Sequence, residues 1–276
     1  MSKNWLNGKT VIISGASGGL GFNIAKKLIT KYDCKVIGIA RNEQKMLASI
    51  QELGDKKSNF TYRLFDVNDS DKWVEFALYL KQNNVSPDVL INNAGFMLPF
   101  NKFENYTQKE INEIVSTNFM SHINAIKIIK PLLNNSSTPA IVNISSAAGL
   151  CPVVGQSMYC ATKFGLKGFT DCLRLELGRD FYIAGVYPGF IKTDILNRMS
   201  ISDKNNRLIE KLMKPVDKAT NIIVRKISKK RNHIVLGVDG KSMNFMMRLF
   251  PKTAPKLIRS VLKASKLEMF DDVFNN

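Results

Sequence analysis

The segment Tyr159-Cys160-Ala161-Thr162-Lys163 sets a phenol and an ammonium four residues apart, and in a helix that spacing puts both on one face. A free phenol titrates near ~10 and is a poor acid-base group at neutrality, whereas a fixed cation beside it favours the phenolate and lowers its pKa. Taken alone, such a pair is equally an ordinary amphipathic surface pair. Its weight comes from its company. Asn143-Ile144-Ser145-Ser146 closes an apolar run and places a hydroxyl 13 residues before Tyr159, and Asn92-Asn93-Ala94-Gly95 closes another run. A hydroxyl, a phenol and an ammonium together can hold a carbonyl oxygen and hand it a proton as charge develops. Both Ser145 and Ser146 are candidates for that hydroxyl.

A second group of residues points to a nucleotide. Ser14-Gly15-Ala16-Ser17-Gly18-Gly19-Leu20-Gly21 lies between a β-branched run and a helical pattern, where the backbone N–H groups of a turn and helix N-terminus can face an anion. Glycine there gives positive φ and lets a pyrophosphate approach where a Cβ would occupy the ligand's volume. The spacing is G-x-x-x-G-x-G, from Gly15, Gly19 and Gly21, with Ser17 and Leu20 as further contacts. About 20 residues on, where NAD-binding units carry an acid for the ribose 2′-OH, the chain reads Gly38-Ile39-Ala40-Arg41-Asn42. A guanidinium with no carboxylate beside it suits a 2′-phosphate, so NADP(H) is the expected cofactor. The plainer alternative is that Arg41 is a solvated surface side chain.

These groups need a scaffold, and the rest of the sequence supplies one. Short β-branched runs at Thr10–Ile13, Lys35–Ala40, Phe60–Phe65, Asp88–Ile91, Ala140–Ile144, Ile183–Tyr187 and His233–Leu236 predict strands. Helical patterns fall at Gly21–Lys31, Glu43–Leu53, Ser70–Gln82, Gln108–Leu133, Ser157–Gly178 and from Pro215 onward. This alternation is how a parallel sheet with covering helices reads. Asn197–Lys214 is a charged stretch, and Gly237–Lys241 reads as a turn. No internal repeat or low-complexity linker is present, so residues 1–240 read as a single α/β domain.

The 276 residues are 45% hydrophobic and 23% charged, an ordinary globular composition. No apolar run approaches the roughly 18 residues needed to span a bilayer, so a cytoplasmic chain is expected. Cys34, Cys151, Cys160 and Cys172 show no metal-ligand spacing and read as reduced, buried thiols. The net charge is +17, and residues 192–276 carry 19 basic against 8 acidic residues. No interleaved aromatic groove or nucleic-acid motif accompanies that excess, so no nucleic-acid partner is expected.

In the order and spacing of these motifs the chain resembles the short-chain dehydrogenase/reductase family over residues 8–240. The matching positions are Gly15-x-x-x-Gly19-x-Gly21, Asp66-Val67, Asn92-Asn93-Ala94-Gly95, Asn118, Ser146, Tyr159-x-x-x-Lys163 and Pro188-Gly189-x-x-x-Thr193. The resemblance implies a Rossmann-type, doubly wound sheet of seven parallel strands, a homodimer or homotetramer, and hydride exchange between a nicotinamide and a carbonyl or alcohol. It chooses Ser146 over Ser145, makes Tyr159 the acid-base group and gives Lys163 the nicotinamide ribose. It also gives Asn118 a water that links the lysine to solvent. Asp66 and Val67 would meet the adenine, Asn93, Ala94 and Gly95 the adenosine ribose, and Pro188, Gly189, Ile191 and Thr193 the nicotinamide end. A cofactor-binding regulator without turnover is the weaker reading, since Asn118, Ser146, Tyr159 and Lys163 are all present.

The loops at 96–103, 150–158 and 191–214 should line the substrate site, and Met97, Leu98, Phe100, Leu150, Val153, Val154, Met158, Phe190, Ile195, Leu196 and Met199 make it apolar. No cluster of Arg is there to clamp a carboxylate, so a hydrophobic substrate is expected: steroid-like, lipid or long-chain acyl. A 3-oxoacyl-carrier-protein reductase or small-carbonyl reductase is the alternative. Residues 241–276 form a basic amphipathic extension with Leu257, Ile258, Val261 and Leu262 at helical spacing. It resembles the tails of hydroxysteroid-dehydrogenase-like members. It is expected to cap the pocket, to touch a membrane surface peripherally or to make a subunit interface.

Overall fold

The computed structural model describes residues 4–192 and 213–275. Its main sheet has seven parallel strands: β1 (Thr10–Ser14), β2 (Lys35–Ala40), β3 (Phe60–Leu64), β4 (Val89–Asn92), β5 (Ala140–Ile144), β6 (Tyr182–Pro188) and β9 (His233–Leu236). Their spatial order is β3-β2-β1-β4-β5-β6-β9. The order reverses between β1 and β4, where Val11 to Ile13 pair with Val89 to Ile91. That reversal opens a crevice beyond the carboxyl ends of the strands. A small parallel pair, β7 (Ile191–Lys192) with β8 (Lys214–Pro215), stands apart.

Alternation along the strands explains the two covering layers. Val11, Ile13, Val89, Ile91, Val142 and Val186 point to one face, under α1 (Gly19–Tyr32) and α7 (Val216–Ser228). Ile12, Leu90, Ile141 and Ile183 point to the other, under α3 (Ser70–Gln82), α5 (Ser121–Leu133) and α6 (Ser157–Leu177). The short helices begin where side chains satisfy free amides. Asn42 accepts from Lys45 N–H to start α2 (Glu43–Gln51), and Thr107 and Glu110 form a capping box on α4 (Gln108–Val115).

Two sequence expectations are corrected. The single helix over Gln108–Leu133 is instead α4, a π turn at Ser116–Met120, and α5. The Asn118 side chain at that turn accepts from Phe96 N–H (2.9 Å) and donates to the Phe96 carbonyl (2.8 Å). Gly237–Lys241 is not a turn: Gly237 alone turns, at φ +83°, and α8 (Val238–Leu249) begins at the next residue. Two more helices follow, α9 (Ala254–Ala264) and α10 (Asp271–Phe274). A third cluster of buried side chains joins Leu267, Met269 and Phe270 of this extension to Met97, Phe100, Ile114 and Tyr159. The extension is therefore packed onto the domain rather than trailing from it. Most of the expected loop at 191–214, including Thr193, Ile195, Leu196 and Met199, lies outside the described residues.

Candidate active site

A cleft of about 390 Å³ lies in the crevice beyond the strand ends. Of the residues singled out by sequence, it is lined by Gly15, Ser17, Gly19, Leu20, Asn93, Ala94, Gly95, Ser146, Tyr159, Lys163, Pro188, Gly189 and Ile191. β1 leads directly into its glycine turn. Gly15 and Gly19 adopt φ of +67° and +52°, a conformation that side chains disfavour. Gly15 thus meets the expected need for positive φ, and a second reason, not the expected approach of a ligand, holds at 15 and 21. A Cβ on Gly15 would meet Ala94 Cα at 2.9 Å, and one on Gly21 would strike the Gly15 carbonyl and Asn93 Nδ2. The two segments approach each other too closely for side chains, and Asn93 locks them by donating to the carbonyls of Ser14 (3.0 Å) and Gly15 (3.1 Å).

β5 ends at the two serines and separates their roles. Ser145 donates to the backbone carbonyl of Lys163 (3.0 Å), and Ser146 hydrogen-bonds Tyr159. Tyr159 and Lys163 share one face of α6, with the ammonium 5.6 Å from the phenol ring centroid. Lys163 Nζ donates to the Ile144 carbonyl (3.3 Å). Gly95 leaves room beside it, since a Cβ there would stand 3.1 Å from Asn118 Oδ1 and 3.4 Å from Lys163 Nζ.

The electrostatics correct one expectation. In this geometry Tyr159 is not lowered: burial pushes the phenol up to about 12, against a smaller opposing effect of the Ser146 hydrogen bond. Burial also brings Lys163 down to about 8. Both groups are removed from water, and the lysine points at a carbonyl rather than at the phenol oxygen, so desolvation outweighs attraction. The nearby His122 is held neutral. Burial and then the charge of Lys163 depress it to about 3, and its Nε2 lies 2.8 Å from the Ala94 carbonyl.

The remaining expected residues sit behind or beyond the cleft. The expectation that no carboxylate stands beside Arg41 is corrected: Asp66, 25 residues on in sequence, pairs with it at 3.1 Å on the exposed rim past the end of β2. Asn42 is committed to capping α2, and Val67 is buried with its carbonyl accepting from the Trp73 indole (3.0 Å). Asn118 lies behind Gly95. On the substrate side Met97, Phe100, Val153 and Phe190 line the cleft, whereas Leu98, Leu150, Val154 and Met158 do not. Sequence reading did not place Lys45, Gln156, Asp239, Met243, Ile258, Leu262 and Phe270 in the wall. The helical spacing of Ile258 and Leu262 was the visible signal for that pair. Asp239 had none: its carboxylate accepts from Phe190 N–H (2.7 Å) and sits against Gly189, joining α8 to the end of β6.

A family model described as short chain dehydrogenase matches residues 9–204. The chain belongs to that family. As a short chain dehydrogenase it is an oxidoreductase, and its seven-stranded parallel sheet is the one the family resemblance implied. The ketoacyl reductase HetN of Nostoc sp. is 34% identical over 188 residues, covering 67% of this chain and 64% of that protein. The chain therefore spans just under two thirds of that relative. The 3-oxoacyl-acyl-carrier-protein reductase FabG of Chlamydia muridarum is 33% identical over 203 residues, covering 72% of this chain and 81% of that protein. A crystal structure of a short chain dehydrogenase from Burkholderia cenocepacia in complex with NADP superposes with a TM-score of 0.77 at 17% identity, covering 92% of this chain and 98% of that one.

Proposed function

We propose that the protein is an NADP(H)-dependent reductase of a carbonyl on a hydrophobic substrate. The observation that carries this reading is one continuous cleft lined together by the glycine turn, by Ser146, Tyr159 and Lys163, and by the apolar Met97, Phe100, Met243, Ile258, Leu262 and Phe270. The residues fit the cofactor. Amides of the Gly15–Leu20 turn at the N-terminus of α1 would meet the pyrophosphate. Arg41 and Asn42 would hold the 2′-phosphate, Asp66 and Val67 the adenine, and Asn93, Ala94 and Gly95 the ribose. Pro188, Gly189 and Ile191 would hold the nicotinamide end, and the family resemblance adds Thr193, which lies outside the described residues.

When bound, the reduced cofactor supplies a hydride to a carbonyl carbon. Ser146 hydrogen-bonds the carbonyl oxygen, and Tyr159 gives that oxygen its proton. A phenol held near 12 is protonated at neutral pH and so is ready to donate. Lys163, on the same face, would hold the ribose and stabilise the phenolate left behind. Asn118 Oδ1 accepts one bond from Phe96 N–H and keeps a second lone pair; it and Lys163 Nζ both lie beside Gly95, where a water would bridge them.

The apolar wall supports a steroid-like, lipid or long-chain acyl substrate. The second reading, a 3-oxoacyl-carrier-protein or small-carbonyl reductase, is supported in its first form by the ketoacyl and 3-oxoacyl relatives, whereas a small carbonyl would leave that wall uncovered. We further propose that the chain works as a homodimer or homotetramer in the cytoplasm, and that residues 241–276 form an extension that caps the site and touches membranes peripherally. The test is NADPH consumption across acyl, steroid, lipid and small carbonyl substrates. Turnover should rise with the apolar size of the substrate, and preference for the smallest carbonyls would overturn the reading.

A further inference from the structure

The extension has two apolar faces, and the domain covers only one of them. On α9, Ile258 and Leu262 line the cleft, while Leu257 and Val261 point to solvent. On α8, Met243 lines the cleft, while Val238, Phe245 and Leu249 point to solvent, and Phe250 follows in the connection. These six outward side chains are between 54% (Leu257) and 83% (Val238) exposed. A face of that kind on a globular protein marks something that covers it.

Charge identifies the cover. Residues 241–266 hold seven cations, Lys241, Arg248, Lys252, Lys256, Arg259, Lys263 and Lys266, and no Asp or Glu. A second copy of the chain would bring the same cations against these and carries +17 overall, so self-association on this face is opposed. Aliphatic side chains rimmed by lysine and arginine suit hydrocarbon beneath anionic headgroups, where burial and attraction act together.

We propose that α8 and α9 are an anionic-lipid docking lid that feeds the cleft from the bilayer. This deepens the membrane contact and rests on the hydrophobic-substrate reading above. Val261 stands three residues after Ile258, which makes the two surface neighbours on the helix, so the lipid-facing stripe (Leu257, Val261) and the cleft-facing stripe (Ile258, Leu262) adjoin along α9. An amphiphile in the leaflet reaches the cleft by passing along the edge of that helix, without crossing water. The substrate class is accordingly a carbonyl on a membrane-resident amphiphile.

The full chain is sedimented with phosphatidylcholine vesicles and with vesicles of the same lipid plus phosphatidylglycerol. NADPH turnover is then followed on a long-chain ketone dissolved in the vesicles and on a short soluble carbonyl. Binding is expected to the anionic vesicles alone and to weaken with salt. Phe245→Asn with Leu257→Asn should cut binding and vesicle-held turnover by about 10-fold or more while leaving soluble turnover as it was. Equal binding to neutral vesicles, no binding, or unchanged vesicle-held turnover in the double variant overturns the proposal. So does a concentration-dependent dimer that the double variant abolishes, which gives the face to a second copy. Soluble turnover without vesicle binding overturns the docking alone. Absence of turnover on every carbonyl overturns the substrate reading and the feeding with it, even if vesicles are bound.

Discussion

The two ends of the cleft are built differently. At the nucleotide end much of the wall is backbone: the glycine turn lies against Ala94, Asn93 donates to the carbonyls of Ser14 and Gly15, and the Lys45 side chain lies over Gly18. At the substrate end the walls are side chains from segments far apart in the chain, with Met97 and Phe100 meeting Ile258, Leu262 and Phe270. Phe100 and Phe270 touch edge to face, with ring centroids 4.7 Å apart. A backbone cradle tolerates little change, because a single methyl group collides with main chain. A wall of interchangeable apolar side chains can be repacked without disturbing the chemistry. The contrast separates what the enzyme does from what it acts upon.

The strongest way to break this comparison is at the junction of the two ends. Tyr159→Phe keeps the shape and removes the proton donor, so kcat/KM should fall by roughly 10²–10⁴-fold, with NADPH binding retained in a fluorescence titration. Near-normal turnover would remove Tyr159 from the acid-base role. Next in size is Phe270→Ala, which empties a buried site between the extension and the 96–103 loop. It should cost about 3 kcal/mol in denaturant unfolding and raise KM for apolar carbonyls while leaving KM for NADPH in place. An equal change in both KM values would mean that the extension also shapes the nucleotide end.

The same contrast explains what was legible in the sequence. The strands and the glycine turn follow from local patterns, and Lys35–Ala40, Ser70–Gln82 and His233–Leu236 stand where periodicity puts them. The break at Ser116–Met120 was hidden, because its cause is a pair of bonds between Asn118 and a residue 22 positions away. The start of α8 was hidden because Gly237-Val238-Asp239-Gly240 carries turn residues, yet Asp239 is committed to Phe190 N–H. The shift of Tyr159 went the other way from the sequence expectation for a similar reason. Spacing shows that a lysine is near but is silent about how much water both groups lose.

Arg41 sharpens the nucleotide end. It lies on the exposed rim beside Asp66, where a phosphate can compete for the guanidinium. Arg41→Asp removes a charge-assisted contact and adds repulsion. The NADPH over NADH preference in kcat/KM should therefore fall by roughly 10–100-fold, the range of a hydrogen bond to a charged group. An unchanged ratio would make Arg41 a surface residue and leave the 2′-phosphate to another cation of the cleft wall such as Lys45.

The smallest expected effect is on stability and is confined to the nucleotide end. His122 is buried beneath the Ala94–Gly95 segment, its Nδ1 has no hydrogen-bond partner among the described residues, and its pKa is depressed to about 3. The unfolded chain takes up a proton near ~6.5 and the folded chain does not until about 3, so the unfolded state gains protons first as pH falls. Stability from this group is whole above ~6.5 and declines on acidification toward about 3, reaching a loss of about 2 kcal/mol near pH ~5. His122→Gln can keep a donor on the Ala94 carbonyl without a titrating ring. Urea unfolding of both proteins at neutral pH and near pH ~5 should therefore show a steeper acid loss in the parent by that amount. Parallel losses would show that acid enters through the surface carboxylates, and that the backbone cradle carries no proton-linked weakness of its own.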